Sequence, residues 1–484
     1  MSEQDTLPMR SQTNKPAPIN RIPPEVLTLI PDFWDMHSRD KDVIALTHVC
    51  RAWREIFTSR SSLWTNFYCA DAAKTRIYLE RSKSSPINLR INRKNDLFPH
   101  DPLLQIIPLA TDRLKSLRLV GSPESLPNIT ARLTHPVPLL EDLLIDGDCE
   151  FDPESNPVLT TSLFSGDLSS LRRLHLSSVR TELPWRTMVN LTSFSLWYTS
   201  PGEVTVRHLL DFFEGAPRLR EIELPTPTPG SSVQDGRLVS LAYLKRAEFF
   251  ECETTSILLS HLLIPVGASL TTWGGLPGPL IEDHLPKSLD NLRNLSDFTK
   301  IHLRVLPWIS FLRFSGPNGQ VRMFSMSTRT NTTCLVLDSL ARFNTSKTER
   351  LRVDHGGPLS MDSTYRALLP MAALRTLALY QCQNPHFFID ALHPGVSPSG
   401  VVVCPNLEEL ILFDVAHGST LGTEGFVGMA AARASRGAKL KTVRILAREV
   451  GFDVLELEKH VLHVECGPEV AVADGDSNIY YEED

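Results

Sequence analysis

The nine residues LRTLALYQC, Leu374 to Cys382, set out an apolar residue, two variable ones, a second apolar residue, one variable one and a third apolar residue. The same phrase recurs as LKSLRL from Leu114, LEDLLI from Leu140, LRRLHL from Leu171, LTSFSL from Leu191 and LREIEL from Leu219. It returns as LKRAEF from Leu244, FTKIHL from Phe298, LEELIL from Leu407 and LKTVRI from Leu440. SPINLRI, ending at Ile91, and TERLRV, ending at Val353, are weaker versions. Strand side chains alternate with period two, so the fourth and sixth positions point the same way and the first packs beneath them. A single unit cannot bury such an edge, whereas stacked units share a continuous core.

Neighbouring starts lie 26, 31, 20, 28 and 25 residues apart in the first half, and the last two gaps are both 33. The phrase resembles that of leucine-rich repeats, and Cys252 and Cys382 stand at that repeat's asparagine-or-cysteine position. The uneven lengths predict an irregular solenoid over residues 71–465. Ten clear matches favour this over an ordinary α/β protein with scattered strands.

Ordinary globular composition surrounds this pattern: of 484 residues, 42% are hydrophobic and 22% charged. A net charge of −7 gives no broad basic field, so neither nucleic acid nor a membrane is expected as a partner. No apolar run approaches the roughly 20 residues that cross a bilayer, and the N-terminal stretch has no apolar signal core. Eight scattered cysteines without CxxC predict reduced thiols and a cytoplasmic or nuclear setting. Residues 1–19 and the acidic 466–484 read as loose tails.

From about residue 20 to 70 the periodicity becomes helical. PPEVLTLIPDFW spaces Val26, Leu27, Ile30 and Phe33 along a helix face, with Pro23 and Pro24 in its first turn. DKDVIALTHVCRAWREIF predicts a second helix carrying Val43, Leu46, Val49, Cys50 and Trp53, and SSLWTNF adds Leu63, Trp64 and Phe67. Three short helices make a core too small to stand comfortably alone.

INRIPPEVLTLI, VCRAWREI and SSLW, in that order, resemble an F-box, the helical module that docks on the Skp-type adaptor of SCF ubiquitin ligases. The usual opening leucine-proline is replaced by Ile22-Pro23-Pro24, and the connector PDFWDMHSRDKD is rich in charge. AAKTRIYLERSKSSPINLRI, which follows, is similar to the helix-then-strand join of F-box proteins from mushroom-forming fungi. The fold class implied is α/β repeat: a small N-terminal three-helix F-box followed by an irregular leucine-rich-repeat solenoid. The function implied is that of a non-catalytic substrate receptor, binding the adaptor and, through it, a cullin scaffold, with the repeats holding a protein target for degradation. Carried over by position, the adaptor-facing set is Pro23, Val26, Leu27, Ile30, Leu46, Val49, Cys50, Trp53, Leu63 and Trp64, some of which must instead form the box's own core. The rival reading is a repeat scaffold that engages no ligase.

No phosphate-binding loop, dinucleotide fingerprint, nucleophile elbow or HExxH occurs, so no enzyme, cofactor or metal is expected. DGDSN at Asp474 lacks the later ligands of a calcium loop. HVLHVEC spaces His460, His463 and Cys466 three apart, which on a helix gives a solvated edge, and WGGLPGPL reads as a turn. Variable positions beside the strand leucines mix charges such as Arg173, Glu221, Glu248, Lys300 and Arg304, implying no strongly charged target. Aromatic residues there, Trp197, Tyr198, Phe250, Tyr380 and Phe413, are the candidates for target contact, because Trp and Tyr dominate interface hot spots.

Overall fold

The structure is a computed structural model. It describes residues 22–467 except 28, 31–38, 70–71, 94–104, 148–155, 160–162, 182–187, 198–204, 226–235, 251–254, 275–284, 307–308, 318, 327–331, 355–358, 383, 397–399, 414–422 and 447–453. The chain divides into two compact units, Met1–Leu191 with Leu196–Glu203, and Thr192–Ser195 with Val204–Asp484. Each is mixed α/β and built on a sheet of mainly parallel strands.

The first unit opens with α1 (Pro24–Leu27), α2 (Arg39–Leu46), α3 (Arg51–Ser59) and a 3-10 turn at Ser61–Trp64. Strand β1 (Asn66–Tyr68) and helix α4 (Ala72–Arg81) follow. Next come β2 (Ile87–Arg93), β3 (Leu114–Gly121), β4 (Asp142–Asp146) and β5 (Arg173–Ser177). These five strands pair in parallel in that order. Such a sheet needs a covered face, and positions four and six supply it: Leu117, Leu119, Leu143, Ile145, Leu174 and Leu176 are all buried.

Strand β6 (Ser193–Trp197) lends its first three residues to the second unit, where they pair with β7 (Glu221–Pro225). Beyond it stand β8 (Arg246–Phe250) and β9 (Ser269–Gly274), again parallel. An antiparallel meander then intervenes, built from β10 (Lys300–Val305), β11 (Ile309–Gly316) and β12 (Gly319–Met326). Its last strand, β12, lies beside β9, and its first, β10, beside β13 (Arg350–Asp354). Parallel pairing resumes through β14 (Thr376–Tyr380), β15 (Glu409–Phe413), β16 (Thr442–Leu446) and β17 (His463–Gly467).

All ten phrases, and both weaker ones, form strands. Apart from β3, which begins at Leu114 itself, the strands of the ten clear phrases start two residues in. All ten first-position residues are buried. In the phrase at Leu374, the residues Leu374, Leu377 and Leu379 are each fully buried, worth roughly 2 kcal/mol apiece. The second position also has a task, since Arg172, Lys245, Glu408 and Lys441 donate their N–H groups to the second position of the preceding strand's phrase.

Five readings need correction. The expected single helix through Val43 and Trp53 is two helices. Thr47, His48 and Val49 close α2 with three-residue hydrogen bonds, Thr47 Oγ1 also donates to Ile44 O, and Cys50 is extended before α3 begins. SSLWTNF is a 3-10 turn running into β1 rather than a third helix. HVLHVEC ends in strand β17, with Val461 and Val464 as its first and fourth phrase positions, so His463 and Cys466 do not share a helical edge. Trp273 and Gly274 close β9 rather than a turn, and the remainder of WGGLPGPL lies outside the described residues. Cys466 and Gly467, assigned to the loose C-terminal tail, instead close β17, while Phe33, Cys252, residues 1–19 and residues 468–484 with the Asp474 stretch lie outside the described residues.

Candidate interaction surfaces

The structure divides the ten residues assigned to the adaptor. Leu27, Leu46, Trp53, Leu63 and Trp64 are buried within the chain, Ile30 and Cys50 are half-buried, and Pro23, Val26 and Val49 are exposed. Val26 and Leu27 are neighbours on α1, yet Val26 is 49% exposed and Leu27 2%, because successive helical residues diverge by about a quarter turn. Leu29, which the periodicity did not single out, is 48% exposed, and Val49, on the link between α2 and α3, is 55% exposed.

The inward set is fixed by its neighbours. Trp64 donates its indole N–H to Phe57 O at 2.9 Å and meets the Tyr78 ring of α4 edge-on, while Arg81 lies over its ring at 4.3 Å. Trp53 packs edge-on against Phe57 along the buried face of α3, and its Nε1 is buried with no hydrogen-bond partner among the described residues. On the outer side of α3 Arg51 pairs with Glu55, and Arg54 donates Nε to Thr47 O, tying α3 back to the end of α2. The small core is therefore completed by α4 and β1, and among the described residues before α4 the branched apolar side chains of Val26, Leu29 and Val49 remain open to solvent, as does Ile77 on α4 itself.

The aromatic candidates fall on the opposite face of the sheets from the leucines. Trp197 is half-buried at the end of β6, and Tyr198 lies outside the described residues. In the second unit Phe250, Trp273, Phe324 and Phe311 occupy one register row across β8, β9, β12 and β11. Phe250 stacks on Trp273 with centroids 6.0 Å apart, and Trp273 stacks on Phe324 at 3.8 Å. Farther along, Tyr380 and Phe413 lean together at 5.1 Å, and Arg352 covers the Tyr380 ring at 4.0 Å.

Beside them His302, Asp354 and Arg352 form a hydrogen-bonded cluster around the buried Asp354. Asp354 accepts from His302 Nε2 at 2.8 Å and from Arg352 Nε at 2.7 Å. Burial works to raise the Asp354 carboxyl, but the two donors and their charges outweigh it and hold it below the usual carboxylate range. At the other margin burial raises Glu248, with Arg246 and Arg322 opposing the rise and Glu223 adding to it. Among the described residues no group of three His, Cys, Asp or Glu side chains is placed to hold a metal ion, and no helix is long and apolar enough to cross a membrane.

A family model described as F-box-like matches residues 19–70, the span that holds α1 to β1. No curated protein shows a significant match. An F-box-like domain indicates, in general, the role of a substrate adaptor in SCF complexes and implies binding to a Skp-type adaptor.

Proposed function

We propose that this chain is the substrate-recognition subunit of an SCF-type ubiquitin ligase. In this reading α1 to β1 are a three-helix F-box whose last helix is reduced to a turn, and the strands beyond form an irregular leucine-rich-repeat solenoid. The box engages the Skp-type adaptor, the adaptor links it to the cullin, and the open face of the strands presents a target protein for degradation. The chain itself performs no chemistry, needs no cofactor and works in the cytoplasm or nucleus.

One observation carries this reading: Val26, Leu29 and Val49 stay open on a helical module whose Leu27, Leu46, Trp53, Leu63 and Trp64 are already buried. Exposed branched side chains gathered on one small module mark a surface for a partner. For the target, Trp197, Phe250, Tyr380 and Phe413, each half-buried at a strand end, together with Tyr198, are the proposed contacts.

Capture of a recombinant Skp-type adaptor by the full chain tests the box. Val26→Asp and Val49→Asp should abolish capture without changing the melting temperature, because each introduces a charge into the docked face alone. Undiminished capture by both variants would refute this docking face, and no capture by the unaltered chain would favour the scaffold without ligase engagement.

A further inference from the structure

Register gathers what sequence order keeps apart. Across β12, β11, β10 and β13 the residues Arg322, Arg313, His302 and Arg352 stand directly opposite one another, on strands about 4.8 Å apart. Lys300 and Arg350 pair on one side of this row and Arg304 on the other, so among the described residues of these four strands six cations share the face with one carboxylate, Asp354, while Glu248 of β8 stands two strands from Arg322 in the same row. Like charges facing each other across strands destabilise a sheet. Asp354 accepts from His302 and Arg352, Arg322 donates to Gln320 Oε1, and among the described residues Lys300 and Arg304 are the cations of this face with no side-chain partner. Such a concentration on a chain of net charge −7 is a cost to folding that binding would recover.

We propose that this face of β10 to β13 binds an acidic segment of the target protein, whose carboxylates pair with the Arg322–Arg352 row while an apolar side chain settles at the edge of Trp273. Two features favour a peptide over a nucleic acid with the same charge. Base recognition on a sheet requires free aromatic faces. Trp273, however, lies between Phe250 and Phe324, inclined to them by only 7° and 3°, so both its faces are taken. Arg352 likewise covers a face of Tyr380. What remains are guanidinium forks suited to carboxylates, and ring edges suited to an aliphatic or aromatic side chain.

The inference rests on the target-binding reading of the sheet and is independent of adaptor docking. Fluorescence anisotropy of the full chain with a labelled peptide of repeated Glu-Glu-Phe tests it, with a Gln-Gln-Phe peptide and a single-stranded RNA of equal charge as comparisons. No adaptor is present, so a failed adaptor capture leaves the result intact. Binding of the acidic peptide should weaken as salt rises from about 0.1 M to about 1 M, over which screening shortens from ~10 Å to ~3 Å. Lys300→Glu and Arg304→Glu should each weaken it about tenfold, with unchanged melting. Arg304→Gln, a milder change, should also weaken binding and replaces the reversal if that disturbs folding. Equal binding of the glutamine peptide, tighter binding of the RNA, or indifference to the Lys300 and Arg304 changes would overturn the proposal. So would binding that appears only after Glu482, Glu483 and Asp484 are changed to Gln, which would assign the face to the chain's own acidic stretch.

Discussion

Tyr78 meets Trp64 edge to face with ring centroids 5.0 Å apart, although Tyr78 lies outside the F-box-like span 19–70. Phe67 also leans on Tyr78, at 5.0 Å, and all three rings are buried. The module's core thus depends on a residue of α4, the helix that leads into the sheet. Tyr78→Ala should cost about 3 kcal/mol or more, the usual loss for a fully buried aromatic. Urea unfolding followed by tryptophan fluorescence measures it, and adaptor capture should fall in proportion to the folded fraction.

The module was legible in the sequence as a stretch but not as two faces. A stripe at three- and four-residue spacing marks side chains that avoid water, and a chain's own core and a docked partner ask for the same residue types. Leu27 and Trp53 therefore read like Val26 and Val49, yet only the first two are buried. Leu27→Asp or Trp53→Asp should lower the melting temperature and adaptor capture together, since each would place an unpaired charge among apolar groups. A variant of either residue that loses capture while melting normally would show that the inward assignment is wrong.

The strands were legible because their phrase is a pattern of burial, and where burial is met by other residues the phrase disappears. In β9 the first and sixth positions are Gly267 and Thr272, and Thr272 is fully buried without being a leucine. In β11 and β12 the run ISFLRFSGPNGQVRMFSM turns between Pro317 and Gly319, the latter with a φ of +132° that favours glycine. That is a hairpin pattern, two strands about a Gly-containing turn: ISFLRF from Ile309 and VRMFSM from Val321 both fit the phrase's spacing, but the short turn pairs them antiparallel instead of stacking them as successive repeats. Arg313 and Arg322 sit on this hairpin, so the basic row could not be assembled from sequence spacing.

Arg433 illustrates a contact with no sequence signature at all. It lies near the end of the helix Thr423–Ser435 and is fully buried, donating Nη1 to Val403 O at 2.7 Å and Nη2 to Cys404 O at 2.8 Å. Burial pushes the Cys404 thiol up to about 12, so the thiol stays neutral and carbonyl dipoles alone face the guanidinium. Arg433→Ala should cost about 3 kcal/mol by orphaning those carbonyls and opening a cavity. Arg433→Lys should recover only part, because an ammonium cannot span both acceptors as a planar fork does. Thermal unfolding of the two variants measures the difference.

Asp354 gives the acid-side prediction. Its register neighbours are Arg304 on β10 and Tyr380 on β14, and His302 and Arg352 are its donors. Its carboxyl is held below the ordinary value of 3.8, so the ionised form is favoured in the folded state. A depressed folded pKa adds stability that is fully present above the unfolded value and is lost as pH falls through the folded one. Asp354→Asn removes that contribution and leaves His302 and Arg352 facing a neutral amide, at a cost of about 3 kcal/mol near neutral pH. The gap in unfolding free energy between the unaltered chain and the variant should be widest near neutrality and shrink below about pH 4. Denaturant titrations across that range check the sign: a gap that stays constant down to acid pH would mean that Asp354 does not carry its charge in the folded chain.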